Sequence, residues 1–294
     1  MSWLQVKIPS TPEFVDVITE GLTLAGALAI TYEDLGDQPI YEPDMDTIPL
    51  WENTGIIGLF ESENNPIPFM ETYFKNLSLP LPFTYKVELL ADKDWERVWM
   101  DNYLPMQFGK NLWICPSWCE IPDNSAINIL LDPGLAFGTG THATTALCLE
   151  WLDENPPIHE KVIDYGCGSG ILGIAAAKLG ASKIICIDHD PLALESTRNN
   201  AMRNNINANQ LQTVLPAALL ETEIADTFIA NILAKPLIDL GPKFAQLTHP
   251  GSKIALSGIL INQKEDILSH YSPWFELTSE KVLDGWIRLS GFRK

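Results

Sequence analysis

Residues 161–190 read KVIDYGCGSGILGIAAAKLGASKIICIDHD, and this stretch restricts the fold more than any other part of the chain. An apolar strand around Val162 and Ile163 ends in Asp164 and runs into a turn carrying Gly166, Gly168 and Gly170. A nearly all-apolar helix over 171–179 follows, then a second apolar strand over 183–187 that closes on Asp188. Strand, glycine turn, helix and strand make one unit of a doubly wound sheet, whose ligands bind in the crevice at the carboxyl ends of the strands. The glycines allow a ligand close to the backbone, and Asp188, about twenty residues on, suits a pair of ribose hydroxyls. The unit predicts an adenosine-type cofactor.

Which cofactor depends on Asp164. Gly168-x-Gly170-x-x-Gly173 also satisfies the dinucleotide fingerprint, a weak signal alone. A carboxylate two residues before the first glycine is expected beside the cofactor's central group. There it repels a pyrophosphate and attracts the ammonium and sulfonium of S-adenosylmethionine, by about 4 kcal/mol gross at ~4 Å under an effective dielectric near 20. The methyl donor is expected, with an NAD-dependent oxidoreductase as the alternative.

Elsewhere the chain alternates strand and helix. Residues 1–90 read strand–helix–strand twice: strands at 3–8, 27–32, 55–60 and 85–90, helices from Pro12 and over 68–77. That doubling suggests a small α+β ferredoxin-like domain of the kind that serves recognition. Residues 91–105, with Trp95 and Trp99 on one face, read as a linker helix. Residues 106–294 carry strands near 112–114 and 127–131 and then seven more with helices between the first five, an α/β Rossmann-like domain.

Two more clusters fall at ends of these elements. DPGLAFGTGTHATT (132–145) brings Gly134, Gly138 and Gly140 to the start of a helix from Thr145, and Phe137 within so polar a loop is placed to cover a cofactor. His142 is either a base or an ordinary loop histidine. Asn231, at the end of the fourth strand, lies across the crevice from the glycine turn, and its amide oxygen could accept N–H bonds from an incoming amine. As a strand-end residue it reads equally as a turn former.

With 38 acidic against 19 basic side chains the net charge is −19. Residues 1–90 hold 14 acids, three lysines and no arginine, a surface that repels nucleic acid and attracts basic partners. The five cysteines lack metal-site spacing, so no metal is expected, and an odd, unpaired set suits a reducing cytoplasm. No apolar run reaches membrane-spanning length and no leader is expected.

DPGLAFGTGTHATT, VIDYGCGSGILGIAAAKLGA, IDHDP and ANILA, with DKDWERVWMDNY and LWICPSW upstream, together resemble the ribosomal protein L11 methyltransferase family. The resemblance extends from the WLQVKI start to the EKVLDGWIRLSG end. It implies a seven-stranded class I S-adenosylmethionine-dependent methyltransferase domain. It also implies a monomeric cytoplasmic enzyme that methylates lysine side chains and the N-terminal α-amine of a basic ribosomal protein, up to three times each. By matching motif position, cofactor contacts fall at Thr145, Gly166, Asp188 and Asn231, with Gly168 in the same turn. A methyltransferase acting on another protein side chain is the nearest alternative; a glutamine-directed enzyme wants N-P-P at the strand end, where this chain has Ile232 and Leu233.

Overall fold

A computed structural model describes residues 2–38, 40, 50–77, 84–90, 103–132, 140–220 and 222–294. The chain divides into two compact units, residues 1–99 and 100–294. In the first, β1 (Trp3–Ser10), α1 (Val15–Leu24), β2 (Ala29–Asp34), β3 (Thr54–Glu61), α2 (Ile67–Asn76) and β4 (Lys86–Leu90) follow in order. The strands form an antiparallel sheet ordered β2-β3-β1-β4. Period-two alternation sends Val6, Ile8, Ile56 and Phe60 to one face, where Val15, Ile18 and Leu22 of α1 and Met70 and Phe74 of α2 complete the core. The expected linker helix falls mainly on residues 91–102, outside the described residues.

The second unit opens with β5 (Met106–Phe108), β6 (Leu112–Cys115) and β7 (Ile127–Leu130) in a small sheet of that order. α3 (Ala143–Glu154) then leads into β8 (Lys161–Tyr165), α4 (Ile171–Lys178), β9 (Lys183–Ile187), α5 (Pro191–Arg203), β10 (Leu211–Val214), β11 (Ala225–Asn231), α6 (Ala234–Gln246), β12 (Thr248–Leu260), α7 (Lys264–Tyr271), β13 (Phe275–Leu283) and β14 (Trp286–Arg293). Seven strands form one sheet, ordered β10-β9-β8-β11-β12-β14-β13. It is parallel from β10 to β12 and antiparallel through β14 and β13. The parallel strands are apolar on both faces because helices cover both, and seven of the eight residues of α4 are buried for the same reason. β5 and α7 go beyond the sequence expectation: a three-residue strand carries too little pattern to read, and α7 follows β12 after a single 3-10 turn with no glycine or proline to announce it.

Asn204, the C-cap of α5, ties the small sheet to the large one. Its Oδ1 accepts from the Leu130 N–H and its Nδ2 donates to Leu130 O, both at 2.8 Å.

The amino ends of the parallel strands are joined by charge. Asp226 Oδ2 accepts from the Lys161 N–H at 2.8 Å, and Oδ1 pairs with His249 Nε2 at 2.9 Å. Burial works to raise the Asp226 carboxyl, but the bonds from His249 and Lys161 outweigh it and hold the group below its ordinary 3.8. The same bond to Asp226, with Pro250 O on the other ring nitrogen, raises His249 above 6.5. The histidine's share of stability is therefore complete below pH 6.5 and is lost as pH rises through its folded value; the aspartate's is lost as pH falls below 3.8. With His249 48% exposed, screening keeps the pair below about 1 kcal/mol. His249→Gln should lower the unfolding free energy from urea titration most near pH 5–6, by roughly 0.5 kcal/mol, and scarcely near pH 8.5. An equal loss at both pH values would show that packing, not charge, is at stake.

Candidate active site

The glycine turn between β8 and α4 has left-handed backbone at Gly166, Gly168 and Gly170, with φ of +77°, +54° and +80°. The left-handed conformation costs a residue with a Cβ about 1–2 kcal/mol. The N–H groups of Gly166 and Cys167 both donate to Ile187 O, at 2.7 and 3.0 Å, drawing the turn onto the end of β9. Gly168 N–H donates to Asp188 Oδ2 at 2.9 Å, and Gly170 N–H to Cys167 O at 2.8 Å. Gly173 N–H, in the first turn of α4, donates to Asp164 Oδ2 at 2.9 Å. These five donors are thus spent within the protein, two of them on carboxylates. A Cβ at Gly173 would come 2.5 Å from Cys186 Sγ, so that glycine serves the close packing of helix on strand.

α5 grips the same turn by its carbonyls. Thr197 Oγ1 donates to Gly168 O at 3.0 Å, and Asn200 Nδ2 to Ser169 O at 2.9 Å, both from buried side chains. Asp190 caps α5 by accepting from Leu192 N–H at 2.9 Å, with Pro191 in the first turn. Asp190 N–H in turn donates to Asp188 Oδ1 at 3.0 Å.

Asp164 does not stand in an open crevice beside the ligand, as its sequence position suggested. It is 1% exposed and bound to the first turn of α4. Burial raises its carboxyl to about 7, opposed by the Gly173 bond and reinforced by Asp188. Its Oδ1 is buried without a hydrogen-bond donor. A buried acid with one unsatisfied oxygen, beside a turn whose donors are consumed, fits a cationic adenosine cofactor and fits a pyrophosphate poorly.

The far wall is set by register. Ala230 of β11 is level with Tyr165 of β8, so Asn231 and Ile232 come against Gly166, where any Cβ would collide with Ile232. Asn231 Nδ2 donates to Thr145 Oγ1 at 3.3 Å, and Ser257 Oγ to Thr144 O at 3.1 Å, fixing the first turn of α3 over the strand ends. His142 is the N-cap of α3, its ring edge-on to Trp286 at 5.0 Å. Gly258 has φ +85°, and a side chain there would strike the Ile232 backbone. Upstream, Asp132 accepts from Ser117 N–H at 2.7 Å, Ser117 Oγ at 2.9 Å and Arg203 Nη1 at 2.6 Å.

Thr145, Gly166, Gly168, Asp188 and Asn231 therefore gather at the carboxyl ends of β8, β9 and β11. Phe137, with Gly134 and Gly138, lies outside the described residues. The sequence reading passed over Thr197, Asn200 and Asn204. Their spacing of three and seven puts them on one face of α5, but only the fold shows that Thr197 and Asn200 meet the glycine turn and Asn204 meets Leu130. Among the described residues no group of three or more His, Cys, Asp or Glu is arranged to hold a metal, and all five cysteines are free. Thr197→Val should strand the Gly168 carbonyl and cost about 1–3 kcal/mol of stability, with weaker cofactor binding, while Thr197→Ser keeps both. Urea titration and calorimetry check this, and equal behaviour of the Val and Ser variants would rule out the hydroxyl's role.

The chain matches the family described as Ribosomal protein L11 methyltransferase (PrmA) over residues 2–294. A ribosomal protein L11 methyltransferase of Marinobacter nauticus is 49% identical, covering 100% of this chain and 99% of the relative. One of Shewanella piezotolerans is 49% identical over the full length of both. A crystal structure of ribosomal protein L11 methylase from Lactobacillus delbrueckii subsp. bulgaricus superposes with a TM-score of 0.59 at 33% identity, covering 65% of this chain and 100% of that one. The parallel-dominated sheet is the Rossmann-like sheet of class I methyltransferases, and the donor-spent glycine turn suits their cofactor, S-adenosylmethionine. On sequence, fold and site together, the chain belongs to the ribosomal protein L11 methyltransferase family, whose members use that methyl donor.

Proposed function

We propose that this enzyme methylates amino groups of ribosomal protein L11, on lysine side chains and on the N-terminal α-amine, up to three methyls each. The observation that carries the amine assignment is the orientation of Asn231. With Nδ2 given to Thr145, Oδ1 is the end of the amide left to accept an N–H, and it sits level with the glycine turn. The relatives named above supply the protein substrate.

When bound, S-adenosylmethionine supplies an electrophilic methyl group on a sulfonium, open to in-line displacement by a neutral amine. The chain's own part is to hold and align. Asp188, fixed by Gly168 and Asp190, is placed for the ribose hydroxyls. Thr145, Gly166 and Gly168 line the same crevice, and Phe137 belongs to the loop that we assign to cover it. For the first and second methyls Asn231 Oδ1 turns the amine's lone pair toward the donor by accepting an N–H; the neutral dimethylamine that takes the third has none, and shape alone aligns it. Neutralising a lysine at pH 7 costs about 4.6 kcal/mol and an α-amine only about 1, so the site needs no strong base for the terminus. For lysine, a site without water and beside positive charge lowers the amine's pKa.

Residues 1–90 serve substrate recognition in this reading, 91–105 as linker and 106–294 as the catalytic domain. The β-α-β-β-α-β order and four-stranded antiparallel sheet of the first unit support a ferredoxin-like recognition domain. Its 14 acids against three lysines suit a basic protein and disfavour direct nucleic-acid contact. No helix among the described residues is long and apolar enough to cross a membrane. A monomer in the cytoplasm is the working state we assign.

Incubation with labelled cofactor and unmethylated ribosomal proteins should place label on one basic protein, at amines, by mass. Label on glutamine side chains or on RNA would overturn the reading. Asn231→Ala should lower kcat about a hundredfold, roughly 3 kcal/mol, with a smaller change in cofactor affinity. Asp188→Ala should reverse that pattern, weakening cofactor binding by about 1.5–3 kcal/mol.

A further inference from the structure

His142 directly precedes the helix that brings Thr145 to the proposed site, where a histidine invites assignment as a proton acceptor. Its hydrogen bonds indicate a different task. His142 has extended backbone, φ −75° and ψ 138°, and its carbonyl accepts the N–H groups of Thr145 and Ala146 at 3.0 and 3.1 Å, as the residue before a helix does. Its Nδ1 faces the Thr144 backbone N–H at 3.3 Å and the Thr144 hydroxyl at 2.8 Å. A backbone N–H can only donate, so Nδ1 is the ring nitrogen without a proton, and the neutral ring carries its proton on Nε2. The nitrogen able to act as a base is therefore already committed to the helix. Trp286, buried and edge-on to the ring at 5.0 Å with an interplanar angle of 69°, holds the imidazole in that orientation, and packs with Ala143 and Leu147 of the same helix.

The capped turn carries two contacts that build the far wall of the site: Thr144 O accepts from Ser257, and Thr145 Oγ1 accepts from Asn231. Capping fixes where Thr145 stands and, through it, which end of the Asn231 amide faces the crevice. We propose that His142 is a positioning residue, acting as the Nδ1 N-cap of α3 to set Thr145 against Asn231, and that it takes no proton from the substrate. This rests on the reading of Thr145 and Asn231 as site residues given above.

The test compares His142→Ala with His142→Asn in the full-length enzyme. Asparagine is among the strongest N-caps and is no base at neutral pH, whereas alanine is neither. The cap predicts that Ala weakens S-adenosylmethionine binding about fivefold in calorimetry and lowers kcat, while Asn returns both to within about twofold of the parent. Three results overturn it: Asn as inactive as Ala while both bind cofactor normally, which marks a base; Asn and Ala losing affinity equally; or Ala matching the parent. If Ala does not fold, His142→Gln takes its place, carrying the same amide one methylene too far out to cap. Failure of the underlying site reading shows separately, as unchanged kcat and cofactor affinity in Asn231→Ala with His142 intact.

Discussion

The active end of this sheet is organised by where the backbone donors of one turn go. A glycine turn opening a helix is by default an anion site, because its N–H groups point outward and the helix dipole adds positive potential. Here Asp164 takes the donor of Gly173 and Asp188 that of Gly168, while Ile187 O takes two more. Spending two of those donors on carboxylates sets negative groups where an anion would otherwise bind. Burial raises the Asp164 carboxyl to about 7, and a cation beside it would favour its ionised form, whereas a phosphate would meet two carboxylates where the same glycines alone would attract it.

A turn with this much left-handed backbone needs support, and α5 supplies it. Thr197 and Asn200 satisfy two successive carbonyls from within the protein, so the peptide planes are held at both ends: nitrogens by strand and carboxylate, oxygens by helix. The opposite wall is built likewise by side chains reaching backbone, with Ser257 on Thr144 and His142 capping the helix that brings Thr145 to Asn231. Thr197, Asn200, Thr144, Thr145 and Ser257 among these groups are buried, so most of these supports are shielded from competing water.

Sequence carried the skeleton well. The boundaries of α5 and β9 were legible because Asp190-Pro191 and the apolar run 183–187 are strong local signals. That Gly166, Asp188 and Asn231 lie together was legible because strand ends in a doubly wound sheet converge whatever the loops do, while Thr145 came from the family resemblance. Asp164 shows the limit. Its place at a strand end suggests an open crevice, yet the side chain is buried against α4, since sequence does not say whether a strand-end carboxylate turns outward or back onto a helix nine residues later. The clamp from α5 stayed hidden because its partners are thirty residues away, and only the fold brings Thr197 to Gly168.

Asn204 has a consequence beyond the crevice. β7 is the last strand of its three-stranded sheet, and the end of such a strand offers unpaired peptide groups to any passing extended chain. A primary amide carries the same donor and acceptor as a peptide bond. By meeting both the N–H and the C=O of Leu130, the Asn204 side chain imitates one residue of a neighbouring strand and fills the position a foreign strand would use first. The residue that ends α5 thus also closes a sheet edge, at a position buried in the folded protein.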